Sequence, residues 1–201
     1  YFKKFINNNN LEQKLYDKGP KVSYYNHQLC HAAGAFYQSG FEESAILTLD
    51  GTGERTTGLL ASAKKNKIET ISEIEYPNSL GLFYASLTQF LGFKAESDEW
   101  KVMAMSAYPY DCKEEIKKVK KCYTLSVNGK FELVSKYFEY SNLGNSNHHY
   151  TKEMLDLFNI DEVSYNAKPS KKQIKIAKAL QICSEEIALH FLKHLYKLTK
   201  N

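Results

Sequence analysis

An apolar run, SAILTLD at residues 44–50, breaks off at Asp50-Gly51-Thr52-Gly53. Seven residues are short for a helix and suit a buried strand. Aspartate followed by glycine closes such a strand with a turn. Two further strand-like runs follow, TTGLLASA at 56–63 and KIETISEIE at 67–75, with KKNK at 64–67 as the hairpin between them. Three consecutive strands joined by short turns predict an antiparallel meander.

Helical patterns flank this meander. KVSYY at 21–25 is a short strand candidate, and Asn26 can cap a helix over 27–37 whose body is Ala32, Ala33, Ala35 and Phe36. Gly40 follows as its stop. Pro77-Asn78 ends the meander, and Ser79 can cap a helix through Phe90, ending near Gly92. Short helices are predicted over 99–107, 113–121 and 152–158. A small hairpin is predicted over 122–134, with Asn128-Gly129 as a type I′ turn. Residues 140–149 read as loop. After Pro169-Ser170 a long amphipathic helix covers 171–198, with Ile176, Leu180, Cys183, Ile187, Phe191 and Leu195 on one face. The fold class is therefore α/β, with α+β as the alternative. The chain divides into a weakly structured, Asn-rich lead-in (1–21), a motif-bearing core (22–110), a small hairpin and loop insertion (111–170), and the long helix (171–199).

Composition excludes several classes. Hydrophobic residues are 43% and aromatics 13%, too many for a disordered chain. The formal net charge of +4 comes from dispersed lysines. Their densest run, KEEIKKVKK at 113–121, carries two glutamates at helical spacing and reads as a solvated helix face, not a nucleic-acid patch. No stretch approaches the ~20 apolar residues of a membrane span. The four cysteines form no C-x-x-C pair, so reduced thiols in a cytoplasmic protein are expected. The chain opens without Met and closes just after a helix, and both ends read as cut.

Three constellations carry chemistry. His27 and His31 stand at i and i+4, on one face of the predicted helix, within reach of one metal ion. Gln28 occupies the place of the glutamate in the H-E-x-x-H pattern, so a peptidase lacks its base. Such a pair serves equally as surface or capping histidines. Asp50-Gly51-Thr52-Gly53-Glu54 delivers a carboxylate into a turn whose glycines let backbone N–H groups approach an anion. The plain alternative is an ordinary Asp-Gly turn. Together the two segments offer nitrogen and oxygen ligands suited to Zn²⁺ or Fe²⁺. The third is Ser79 at a helix N-terminus, a ready anion site, with Lys101 able to contact a phosphate. Amphipathic packing with a solvated Lys101 is the bland reading. His190 and His194 repeat the i, i+4 spacing without a strand-end carboxylate and read as structural. His148 and His149 read as solvated loop residues.

Five motifs in order resemble the O-carbamoyltransferases, which act on nodulation factors, cephems and aminoglycosides. They are HQLCHAAGAFY at 27–37, ILTLDGTGE at 46–54, YPNSLGLFY at 76–84, LGFK at 91–94 and EWKVM at 99–103. The resemblance implies an N-terminal domain like that of actin, acetate kinase and the sugar kinases, similar also to the enzymes that make threonylcarbamoyl-adenosine in tRNA. It implies transfer of a carbamoyl group from carbamoyl phosphate, via ATP-derived carbamoyl-adenylate, to a hydroxyl of a small-molecule or glycan acceptor. It assigns a divalent metal to His27, His31 and Asp50 and turns the Asp50–Glu54 loop, with Gly51, Thr52 and Gly53, to the phosphate side. Ser79 and Lys101, read above as an anion site, are grouped with that side, and Glu54 is a candidate for contacting the acceptor hydroxyl. The missing remainder of the enzyme is the expected partner. Asp98 stands where the family's motif has glycine. A non-catalytic metal- or nucleotide-binding remnant is the alternative.

Overall fold

The computed structural model describes residues 23–140 and 149–201. Helix α1 (His27–Ser39) is followed by β1 (Glu43–Leu49), β2 (Thr56–Lys64) and β3 (Lys67–Glu75). Then come α2 (Leu80–Phe90), α3 (Glu99–Ser106), α4 (Lys113–Val119), a hairpin of β4 (Tyr123–Leu125) and β5 (Phe131–Leu133), α5 (Lys152–Phe158) and α6 (Lys171–Thr199). The meander forms as predicted: order β1-β2-β3, both pairs antiparallel. Helices flank the sheet, as the α/β reading requires.

The pleat explains the layers. On β2, Leu59, Ala61 and Ala63 point to one face with Ile46 of β1, where they meet Ala32 and Phe36 of α1. Leu60 points to the other face, into a larger core shared with Phe83, Leu87 and Phe90 of α2 and the buried stripe of α6. β2 is therefore covered on both faces, which is why its sequence is nearly all small or apolar. The six apolar residues named for α6 are all buried. Ser170 and Gln173 close a full capping box at its start.

Three expectations are corrected. Ser23, Tyr24 and Tyr25 lie in no strand; each is exposed and pairs with no strand among the described residues, which exclude residues 21 and 22. The β4–β5 turn is not type I′. The Ser126 carbonyl accepts from Gly129 N–H, and Ser126 N–H donates to the Lys130 carbonyl, making a three-residue loop. Gly129 has φ 78° while Asn128 keeps a negative φ, the pattern of a turn ending in a glycine bulge. His149 is half-buried, with a Nδ1 that meets no hydrogen-bond partner among the described residues, and its N–H donates to Gln89 Oε1 at 2.6 Å. His148 and the rest of the predicted loop through 148 lie outside the described residues, as does the lead-in.

Candidate metal centre

Two elements meet at the site. Asn26 caps α1 through a 2.9 Å bond from Leu29 N–H to its Oδ1, and Gly40 closes the helix in the left-handed region. Ala32 and Phe36 hold α1 on the sheet. This turns His27 and His31 toward the end of β1, where Asp50 follows Leu49. On an extended chain Ile46, Thr48 and Asp50 share one face, so the carboxylate emerges on the α1 side.

The three side chains converge. His27 Nε2 lies 2.6 Å from Asp50 Oδ2, His31 Nε2 lies 3.2 Å from the same oxygen, and the two Nε2 atoms are 3.0 Å apart. Protons cannot serve all three approaches, because two imidazoles donating to Asp50 would face each other N–H to N–H. One cation would serve all three. Metal–ligand bonds of about 2.0–2.1 Å place neighbouring ligand atoms about 2.8–3.4 Å apart. The 3.0 and 3.2 Å separations fall in that range and the 2.6 Å one lies just below it, so the residues present fit an ion with a small opening of the His27–Asp50 pair. Two histidines and one carboxylate with open positions form a donor set used by Fe²⁺ and, with a water, by Zn²⁺.

The carboxylate is prepared to stay ionised. Partial burial pushes its pKa up, but hydrogen bonds from His27, Gly51 N–H and His31 together hold it below the ordinary aspartate value. Gly51 N–H engages Oδ1 at 2.7 Å and leaves Oδ2 to the imidazoles. Glu54 Oε2 accepts the N–H of His27 at 3.3 Å, placing a carboxylate at the N-terminus of α1.

The turn that carries Asp50 is tied down from two sides. Gly53 N–H donates to the Thr56 carbonyl at 2.9 Å, and a Cβ on Gly53 would meet that oxygen at 2.9 Å and His27 Cβ at 3.2 Å. Ser79 is fully buried. Its hydroxyl proton is shared between the Asp50 and Gly51 carbonyls at 2.8 and 2.7 Å, and its oxygen caps α2 by accepting from Leu82 N–H. Gly81, in the first turn of α2, touches the same backbone: a Cβ there would lie 2.7 Å from Asp50 O and Gly51 N.

The predicted residues thus separate into groups. His27, His31, Asp50, Gly51, Gly53, Glu54 and Ser79 are joined by the contacts above. Thr52 is exposed between two clefts, one of ≈ 320 Å³ with Glu54, Arg55 and Tyr76, the other of ≈ 390 Å³ with Asp50, Gly81, Glu96 and Glu99. Lys101 lines neither. Its ammonium stands 3.1 Å from Asp98 Oδ2 and near the faces of Trp100 and Phe93. Asp98, the departure from the family's glycine, also accepts from Lys94 N–H at 3.1 Å. That backbone hydrogen bond is the main cause of its lowered pKa, against a smaller rise from burial. Glu96, Glu99 and Thr48 carry no functional signal of their own in the sequence, and Gln28 enters there only as the residue in place of a peptidase's glutamate. Gln28 also left a packing signal: a polar residue at the head of the i, i+4, i+8 stripe of Gln28, Ala32 and Phe36.

Comparison with known proteins settles the family. A family model described as the carbamoyltransferase N-terminus matches residues 1–201. The chain belongs to the carbamoyltransferase family. It is 32% identical over 180 residues to an uncharacterised Synechocystis protein, sll1178, covering 89% of this chain and 28% of that protein. It is 29% identical to the nodulation protein NolNO of Sinorhizobium fredii, over 89% of this chain and 24% of the relative. It is 30% identical to the nodulation protein NolO of Bradyrhizobium diazoefficiens, over 87% and 29%. The chain therefore spans under a third of each of these relatives.

Proposed function

We propose that this chain supplies part of the transfer site of an O-carbamoyltransferase. The carbamoyl group passes from carbamoyl phosphate, through ATP-derived carbamoyl-adenylate, to a hydroxyl of a small-molecule or glycan acceptor. The observation that carries this reading is the convergence of His27, His31 and Asp50 in a chain of the carbamoyltransferase family.

His27 Nε2, His31 Nε2 and Asp50 Oδ2 would hold the ion, Fe²⁺ or Zn²⁺. When bound, the ion supplies a Lewis acid that polarises a carbonyl and orients a substrate oxygen. The chain's own residues do the rest. Gly51 N–H keeps Asp50 ionised and aimed. Thr52 and the flanking glycines offer backbone and hydroxyl donors to the phosphate side, where a Cβ on Gly53 would clash with the Thr56 carbonyl and crowd His27. Ser79 serves that side indirectly, by holding the Asp50-Gly51 carbonyls. Glu54, exposed beside the histidines, takes the proton of the acceptor hydroxyl. Lys101, steadied by Asp98, meets the nucleotide only where the remainder of the enzyme closes over α3. The sheet, with α1 on one face and α2 and α6 on the other, would form part of an actin-like domain, and the cytoplasm is the proposed location. A non-catalytic metal- or nucleotide-binding remnant would keep the same converged ligands and gains less support only because the chain matches the carbamoyltransferase family model over residues 1–201.

The test is carbamoyl transfer by the intact protein, supplied with carbamoyl phosphate, ATP and an acceptor. Glu54→Gln should lower turnover by about 10²–10⁴-fold, the usual worth of a general base, while metal content stays. Unchanged turnover would remove Glu54 from the chemistry.

A further inference from the structure

The helix that presents both histidines carries a buried amide between them. Gln28 is 0% exposed, at the position where the stripe of Ala32 and Phe36 would be expected to begin with an apolar side chain. Its Oε1 accepts the Thr48 hydroxyl at 2.5 Å, and its Nε2 reaches the Thr56 carbonyl at 3.5 Å. Thr48 is itself buried, and stands two residues before Asp50 on the same face of β1. The contact of Gln28 with Thr48 and that of His27 and His31 with Asp50 are therefore successive rungs between the same two elements. The Thr56 carbonyl reached by Gln28 also receives Gly53 N–H, so the same amide touches the closing end of the Asp50 turn.

A buried amide and hydroxyl are a costly way to fill space that two apolar side chains would fill as well. What they add is direction. A leucine could slide or rotate against β1, whereas an amide bonded to one hydroxyl fixes both the rotation of α1 about its axis and its height along the strand. A 3.6-residue repeat sets Gln28 about 100° around the helix from His27 and about 60° from His31. Fixing Gln28 therefore fixes where both imidazoles point.

We propose that Gln28 is a positioning residue for the metal centre, acting with Thr48 to lock α1 so that His27 and His31 converge on Asp50. The inference rests on the metal-site reading above. It assigns the affinity of the site partly to two residues that hold no ligand atom.

The test is Co²⁺ binding by the intact protein, read from the cobalt visible absorption on titration, beside thermal unfolding of the metal-free protein. Thr48→Ser keeps the hydroxyl and should bind Co²⁺ like the wild type. The double variant Gln28→Leu, Thr48→Val removes both polar partners, leaving no buried group unpaired. It should fold with a near wild-type melting temperature yet bind Co²⁺ about 10–100-fold more weakly, with an altered absorption envelope, as loss of supporting contacts around a metal does. A folded double variant with wild-type affinity and spectrum would overturn the proposal and leave the metal site standing. A wild type that binds no Co²⁺ would overturn the proposal together with the metal site. Should the double variant not fold, Gln28→Met alone is titrated, and wild-type affinity in it likewise overturns the proposal.

Discussion

The hydroxyl of Ser79 stands 2.8 Å from the carbonyl oxygen of Asp50, so the cap of α2 and the strand end that carries the site's carboxylate are one hydrogen-bonded unit. Ser79→Ala should therefore do two things. It removes the N-cap, worth about 0.5–2 kcal/mol, and strips the Asp50 and Gly51 carbonyls of a buried donor. Denaturant unfolding should show a loss of about 2 kcal/mol, and metal titration a weaker site. A stability loss with wild-type metal affinity would show that the cap and the site are independent.

Two helical glycines should respond to alanine with opposite signs. Gly34 lies on the exposed side of α1, with nothing within 4 Å of the added methyl. Gly34→Ala should gain about 0.5–1 kcal/mol from helix propensity alone. At Gly81 the same propensity gain meets backbone at 2.7 Å on three atoms. Backbone has no rotamer to swing away, so overpacking of about 1–3 kcal/mol wins. Gly81→Ala should lower the melting temperature and displace the Asp50 turn, which paired unfolding curves would register.

The thiol cluster under α6 should set an alkaline limit. Burial pushes the Cys122 thiol up to about 12 and that of Cys183 up to about 11, from an ordinary 9.0. Between pH 9 and these values the unfolded chain loses protons that the folded chain keeps, so stability falls as pH rises. It is flat below about pH 8, where both states are protonated. At pH 10 each thiol should cost about 1–2 kcal/mol. Cys183→Ala, compared with the wild type by denaturant unfolding at pH 7.5 and pH 10, should show a smaller drop between the two pH values. An equal drop would contradict the assignment.

The legible parts of this molecule are those written in local pattern. The meander, the α6 stripe and the Asn26 and Ser79 caps follow from periodicity and capping residues that neighbours in sequence determine. Spacing alone offers a histidine pair and a turn carboxylate, and the family resemblance joins His27, His31 and Asp50 into one set. The illegible parts depend on neighbours distant in sequence. That Gln28 meets Thr48 requires knowing how α1 lies on β1; the sequence shows only a polar residue at the head of an apolar stripe. That Gly81 must be glycine depends on Asp50 and Gly51, thirty residues earlier. Tyr24 and Tyr25 have strand propensity, but propensity makes no strand without an edge to pair with. At Asn128-Gly129 the dipeptide marked a turn correctly, and the hydrogen bonds of Ser126 then chose the longer loop. Lys101 reads as a phosphate contact from its motif alone, and its ion pair with Asp98, three residues earlier, becomes visible only in the folded chain.

The most direct measurement is metal content by mass spectrometry on the intact purified protein, wild type beside the His27→Ala, His31→Ala double variant. One iron or zinc per chain in the wild type, lost in the double variant, is the predicted result. A metal-free wild type, or equal metal in both proteins, would contradict the site on which the account is built.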